Sequence, residues 1–220
     1  MKSDIRQLLT EEIVGIRDSS VQLVFMKEYE EMLEEFADHM ATALTKWSEL
    51  DRLITKGDQS MIVTAYSYGA LHHHLLAMKL LIGGYFVASC NSQRFMLECM
   101  ATCLLAASDS NVRQKILEEK YSETKSIITL AKRCKSLGLD QYAVRQIERE
   151  KKRYSKLSHP SLLALTSTIL ASNLNPKITI GVHYDEGKNR AYAYEVKSRV
   201  SLAAELPSFI DTVLNVYSAA

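Results

Sequence analysis

The chain has 220 residues, of which 47% are hydrophobic and 24% are charged, a balance typical of a globular protein with one sizeable core. A net charge of +1 gives the whole chain no electrostatic drive toward nucleic acid or membranes, and only 8 glycines and 3 prolines argue against a loop-rich all-β fold. These features predict long helices.

The chain opens on a charged segment that lacks the apolar stretch of a signal peptide. The longest uninterrupted apolar segment, residues 80–90, is much shorter than the roughly 20 residues that a bilayer span needs. We therefore expect a cytoplasmic protein with reduced thiols and no membrane partner.

After a polar segment over residues 1–18, apolar side chains recur at helical spacing along most of the chain. Gly57 and Gly138 stand where helices are expected to end, and Asp140 and Pro160 stand where helices are expected to begin. The predicted helices cover about 21–56, 59–81, 85–107, 112–137, 141–156 and 160–175.

The period of the pattern changes after residue 176. Apolar and polar residues alternate over 178–184 and again over 192–196, with the turn-rich segment 185–189 between them. This alternation predicts a β-hairpin. Helical spacing then returns from Leu206 to Tyr217 and predicts a terminal helix.

The sequence thus predicts a mainly α fold. We expect a single domain in which residues 19–175 form an up-and-down helical bundle. Residues 176–220 are expected to pack on this bundle as a small β-hairpin followed by a terminal helix.

Charge is distributed unevenly along the chain. Residues 1–60 hold 13 acidic and 7 basic residues, a net charge of −6, whereas residues 131–156 hold 9 basic and 3 acidic residues, a net charge of +6. One interpretation of the basic segment is a solvated helix face. The other is a surface that attracts phosphate groups toward a site.

The basic segment ends at the junction that holds Arg153 and His159, and five residues separate these two. A permanent cation and a titratable imidazole at one helix junction could bind and cleave a phosphodiester. The alternative is an ordinary helix end, in which His159 caps the helix that begins at Pro160 and Arg153 pairs with Glu150 or Glu148.

This motif resembles that of the HEPN superfamily (higher eukaryotes and prokaryotes nucleotide-binding domains). Its members are α-helical bundles, and many are endoribonucleases with an Arg, four to six residues and a His at the junction of two late helices. The placement of Arg94 and Glu98 within an apolar helix resembles that in an uncharacterised bacterial branch of HEPN-like proteins. In that branch a short hairpin and a terminal helix follow the His segment. Active members often carry a small polar residue after the Arg, where this chain has Tyr154.

The resemblance implies an endoribonuclease of the toxin or defence kind that cleaves RNA without a metal or a cofactor. His159 would take the proton from a 2′-hydroxyl, and Arg153 would bind the phosphate, leaving a 2′,3′-cyclic phosphate and a 5′-hydroxyl end. Among the expected substrate-binding residues, Tyr154, Ser155 and Lys156 would position the RNA backbone, and Lys152 would add to the electrostatic attraction.

The resemblance further implies a homodimer whose site forms between two copies, and an antitoxin or another protein as a partner. The alternative function is a non-catalytic helical module that binds RNA, a nucleotide or a protein partner. Catalysis requires Arg153 and His159 to converge on an open basic groove, whereas a binding module does not.

Arg94 and Glu98 are four residues apart in an otherwise apolar helix and predict either a structural ion pair between helices or a brace for the site. The run of three histidines at 72–74 does not share one helix face, and Glu35 with His39 lacks the second motif of a di-iron bundle. We therefore predict no metal ligand, and we expect the four cysteines to be buried thiols.

Overall fold

The computed structural model describes residues 18–54, 57–158 and 184–220. These residues form seven α-helices, without a strand in the described ranges, so the predicted mainly α fold is confirmed. Two single 3₁₀ turns lie at Glu123–Lys125 and Glu186–Lys188. The helices are α1 Asp18–Leu53, α2 Asp58–Ile82, α3 Phe86–Ser108, α4 Ser110–Leu117, α5 Ser126–Arg133, α6 Gln141–Ser158 and α7 Asn189–Ser218.

Helix α3 lies at the centre of the bundle, where α2, α5, α6 and α7 all pack against it. Every residue from Met96 to Ala107 is buried, because a helix that is apolar on all sides is stable only inside a core. Burial of each large apolar side chain such as Leu105 stabilises the fold by about 1.5 to 3 kcal/mol. The apolar sequence of α3 therefore forms a core helix.

Helix α1 packs against α2 and α7. Its buried Phe25 contacts the rings of Tyr184 and Tyr192, with both centroid distances at 5.0 Å. The backbone of α1 departs from helical geometry at Tyr29, where φ is −125° and ψ is 23°. The aromatic contacts attach the beginning of α7 to the first third of α1.

The predicted second strand of the hairpin is wrong, because residues 192–196 lie in the long helix α7. Tyr192 and Val196 are four residues apart, so both are buried on one helix face, while Tyr194 points outward. Residues 185–189 initiate the helix, since the Asp185 carboxylate accepts a hydrogen bond from the Gly187 amide at 3.0 Å. The predicted first strand lies outside the described residues except for Tyr184.

The predicted helix over 112–137 is interrupted. Glu119 has a φ of 54°, and the Lys120 amide donates to the Lys115 carbonyl at 2.8 Å, which closes α4 in the manner of a helix terminus. The chain becomes helical again at Ser126, whose buried hydroxyl lies 2.7 Å from the Thr102 hydroxyl of α3. Apolar periodicity continued across this interruption and did not reveal it.

The connection into α6 follows the sequence prediction. Gly138 has a φ of 65°, the left-handed conformation expected after a helix end. The Asp140 carboxylate then accepts a hydrogen bond from the Tyr142 amide at 2.9 Å. The left-handed backbone at Gly138 and the hydrogen bond at Asp140 together set the residue at which α6 begins. The start of the helix in turn sets which of its faces points toward α3.

None of the helices in the described ranges has the length and apolar character needed to cross a membrane. The predicted polar segment up to residue 17, the helix expected over 160–175 and the strand expected over 178–183 lie outside the described residues.

Candidate functional site

One face of α6 forms a basic surface. Five of its side chains line a surface cavity with a volume of about 500 Å³, together with Glu148. Their spacing of three, four and seven residues places them on one stripe of the helix. We call this set the basic face: Arg145, Arg149, Lys152, Arg153 and Lys156.

Most of the basic face is accessible to a large ligand. Arg145, Arg149, Lys152 and Lys156 are exposed. Lys152 forms an ion pair with Glu148 at 2.8 Å, and Arg149 donates to the Gln146 side chain. Because these pairs are solvated, they contribute little to stability and leave the cations able to bind an anion.

Arg153 differs from its neighbours on the basic face, since only 25% of its side chain is exposed. Its Nε donates to the Glu150 carboxylate at 2.8 Å, which confirms the predicted pairing at a helix end. Its Nη1 donates to the carboxylate of Glu195 in α7. Burial lowers the pKa of Arg153, but Tyr154 and Glu195 raise this pKa by more than burial lowers it. The guanidinium is therefore permanently charged.

Glu195 is the centre of a buried polar network that joins α3, α6 and α7. Its carboxylate also accepts hydrogen bonds from Arg199 Nη1 at 2.5 Å and from the Tyr154 hydroxyl at 3.2 Å. Arg199 is fully buried, and its Nη2 donates to Ser89 Oγ at 2.7 Å. We call this set the Glu195 network: Ser89, Arg153, Tyr154, Glu195 and Arg199.

Burial also fixes the protonation state of Tyr154 within this network and of the neighbouring Cys90. It raises the pKa of the Cys90 thiol to about 12 and raises the pKa of the Tyr154 hydroxyl. Both groups therefore carry their protons at neutral pH. Neither is a nucleophile at that pH, because a thiol or phenol reacts through its ionised form.

His74 contacts the backbone of Arg199, a member of the Glu195 network. One ring nitrogen lies 2.9 Å from the Arg199 carbonyl oxygen, and the other lies 3.1 Å from the Gln93 side-chain amide. The ring is fully buried, and desolvation lowers its pKa to about 4. His74 is therefore a neutral structural side chain at pH 7, whereas His72 is exposed.

The buried His74 predicts a specific loss of stability in acid. Its pKa falls from 6.5 to about 4 on folding, so the unfolded chain binds the proton more tightly. The stabilisation is complete above pH 6.5 and is lost as the pH falls toward 4. At pH 4.5 we expect the free energy of unfolding to lose about 2 to 3 kcal/mol through this group.

Urea unfolding at pH 7 and pH 4.5 tests this expectation. The drop between the two pH values should be smaller by about 2 to 3 kcal/mol in His74→Gln than in the wild type. His72→Gln is the matched control and should retain the wild-type drop, because His72 is exposed. An equal drop in all three proteins would show that His74 is not the group responsible.

The structure brings only some of the predicted site residues together. Lys152, Arg153 and Lys156 line one cavity, and Ser155 is half-buried. Tyr154 is buried on the inner side of α6, where its hydroxyl donates to Glu195, so it does not face the cavity. His159, the other half of the predicted motif, lies outside the described residues.

The second predicted pair lies on α3. Arg94 Nη2 donates to the Asn91 side chain at 3.1 Å, and the buried Glu98 carboxylate lies 3.9 Å from Lys151 Nζ of α6. Glu98 therefore forms an ion pair between helices, one of the two roles predicted for this position.

Sequence reasoning missed Glu195 and Arg199, although their spacing of four residues is a helical signal. The alternation of Tyr192, Tyr194 and Val196 had assigned this segment to a strand, in which residues four apart are not in contact. With a helical assignment, two opposite charges on an apolar stripe would have indicated a buried ion pair.

Comparisons with family models, with curated proteins and with solved structures gave no significant match for this chain. No group of three or more His, Cys, Asp or Glu side chains in the described ranges is arranged to hold a metal ion. The candidate site is therefore defined by the basic face of α6 and by the Glu195 network behind it.

Proposed function

We propose that the protein binds RNA through the basic face of α6. The observation that carries this proposal is the convergence of five cationic side chains on one cavity of about 500 Å³. Cations that neutralise successive phosphates release condensed counterions, and this release drives the binding of proteins to nucleic acids.

The shape and the charge of the bundle support this proposal. The stripe from Arg145 to Lys156 rises about 16 Å along α6, a length suited to several consecutive phosphates. Helix α6 holds six basic and two acidic residues, whereas α1 holds nine acidic and three basic residues. A polyanion is therefore attracted to α6 and repelled by α1.

Removal of three charges from the basic face tests the proposal. The triple variant Arg149→Gln, Lys152→Gln, Lys156→Gln should bind RNA more weakly. Its plot of log affinity against log salt should be shallower by about 2, since each phosphate contact to a single strand contributes about 0.7. Fluorescence anisotropy with a labelled RNA over a range of salt concentrations measures both quantities.

A matched triple variant removes the same charge from exposed lysines of α2, α4 and α5, at Lys79, Lys115 and Lys132. This control should retain the wild-type affinity and salt dependence. An equal loss in both triple variants would mean that RNA binds without using α6. Equal affinity of the wild type for polyglutamate and for RNA would instead favour an acidic protein partner.

A second candidate function is the endoribonuclease implied by the HEPN resemblance, with the toxin or defence role, the homodimer and the protein partner that accompany it. The observation in its favour is that Arg153 lines the same cavity as the proposed RNA-binding cations. In this mechanism, His159 removes the proton of a 2′-hydroxyl, and Arg153 stabilises charge on the attacked phosphate.

The environment of Arg153 constrains that mechanism. Glu150 and Glu195 hold Nε and Nη1 of the guanidinium in a fixed position, and its Nη2 is buried, so Arg153 does not search through rotamers. The two carboxylates also compensate the charges of Arg153 and Arg199. Arg153 would therefore contribute orientation more than net attraction, and Lys152 and Lys156 would supply the attraction.

A further inference from the structure

Two exposed tyrosines border the basic face of α6. Tyr142 is 71% exposed and Tyr194 is 55% exposed. Exposed aromatic rings beside a row of cations are the arrangement by which proteins bind single-stranded nucleic acids.

Tyr194 lies at the end of the basic face that approaches α7. The Cζ atom of Arg153 is 5.0 Å from the centroid of the Tyr194 ring and 4.1 Å from the centroid of the Tyr154 ring. The guanidinium thus lies between a buried ring and an exposed ring. Tyr194 is therefore next to a cation of the cavity that Glu150 and Glu195 hold in place.

Tyr142 lies at the other end of the basic face. It precedes Arg145, Arg149 and Arg153 by three, seven and eleven residues, spacings that place all four side chains on one side of α6. The hydrogen bond from its amide to Asp140 fixes its position in the first turn of the helix. Tyr142 therefore lies at the start of the row of cations, and Tyr194 lies beside Arg153, eleven residues further along α6.

We propose that Tyr142 and Tyr194 each stack on an unpaired base, which makes single-stranded RNA the ligand class of the basic face. This inference rests on the proposed binding of RNA by α6. A duplex offers phosphates to the cations, but its bases are already stacked on one another and are not available to the tyrosines. The rings therefore confer a preference for single strands, while the cations confer affinity for any RNA.

Anisotropy titrations with a labelled oligouridine and with a duplex of the same strand length test this inference. Tyr194→Leu and Tyr142→Leu should each weaken binding of the single strand about 5- to 100-fold, the range expected for one stacked base. Binding of the duplex should not change. Tyr194→Trp should retain single-strand affinity, because indole stacks at least as well as phenol.

The control is Tyr68→Leu, which removes another exposed tyrosine, one whose ring packs against Trp47 with a centroid distance of 4.9 Å. It should bind both RNAs as the wild type does.

Two results would overturn the inference while leaving the proposed function intact. One is that Tyr142→Leu and Tyr194→Leu both bind the single strand with the affinity of the wild type, while the triple charge variant no longer binds this strand. The other is a preference of the wild type for the duplex. Wild-type affinity of the triple charge variant for both RNAs would overturn the proposed function itself and this inference with it.

Discussion

Substitution of Glu195 by glutamine is expected to lower the free energy of unfolding by about 3 to 5 kcal/mol. The change keeps the size of the side chain and removes only its charge. Glu195 is 2% exposed, and its carboxylate binds both the fully buried Arg199 and Arg153. Without it, Arg199 becomes a buried cation that lacks its neighbouring counter-charge.

Urea unfolding at pH 7 measures this effect, with Glu205→Gln as the matched control. Glu205 is an exposed carboxylate of the same helix, ten residues later, so its substitution should change the free energy of unfolding by no more than about 0.5 kcal/mol. If Glu195→Gln changed the stability as little as Glu205→Gln does, Glu195 would not be the counter-charge of Arg199.

A double variant separates charge from packing in the same network. Replacement of Glu195 by leucine together with Arg199 by methionine removes the buried pair and leaves no isolated ion at either position. Apolar replacement of a whole buried ion pair is often neutral, whereas removal of one partner is costly. We therefore expect the double variant to be more stable than Glu195→Gln. A loss of stability equal to the sum of the losses in Glu195→Leu alone and Arg199→Met alone would contradict this account.

The second large effect concerns the proposed cleavage of RNA. We expect His159→Ala to slow cleavage at least about 100-fold, because general-base catalysis by a histidine contributes about 10² to 10⁴ in rate. The assay contains EDTA, and the wild-type products should end in a 2′,3′-cyclic phosphate and a 5′-hydroxyl. The free energy of unfolding of His159→Ala should remain close to that of the wild type.

Arg153 and Lys152 provide the comparison that places the reaction on α6. Arg153→Met should slow cleavage and also lower stability, since Arg153 belongs to the Glu195 network. Lys152→Met should weaken RNA binding without lowering stability, because Lys152 is 70% exposed. Identical cleavage by the wild type and by His159→Ala would exclude the ribonuclease mechanism and leave RNA binding as the proposed function.

The helices that the sequence predicted well are those whose burial follows from local spacing. The ends of α2, α3 and α6 lie within about two residues of their predicted positions, because glycines and an aspartate mark the helix boundaries. The pairing of Arg153 with Glu150 was also available from the sequence, since residues three apart meet on any helix.

The predictions that failed depended on contacts between distant segments. The alternation of Tyr192, Tyr194 and Val196 fits a strand, whereas the spacing of four between Tyr192 and Val196 also fits one face of a helix. The contacts of Phe25 with Tyr184 and Tyr192 hold the start of α7 against α1. Similarly, the hydroxyl contact between Ser126 and Thr102 sets the start of α5, and no periodicity in the sequence reveals it.

The sequence by itself determined a mainly helical chain, a central apolar helix and a basic segment that contains Arg153, because each of these follows from composition and local spacing. Only the tertiary structure decided what surrounds Arg153. The contact between Arg153 and Glu195 spans 42 residues of sequence and forms only when α6 and α7 dock on α3. Docking also buries Tyr154 on the inner side of α6 and leaves Tyr194 exposed on the outer side of α7, because only the inner side of each helix packs against the bundle.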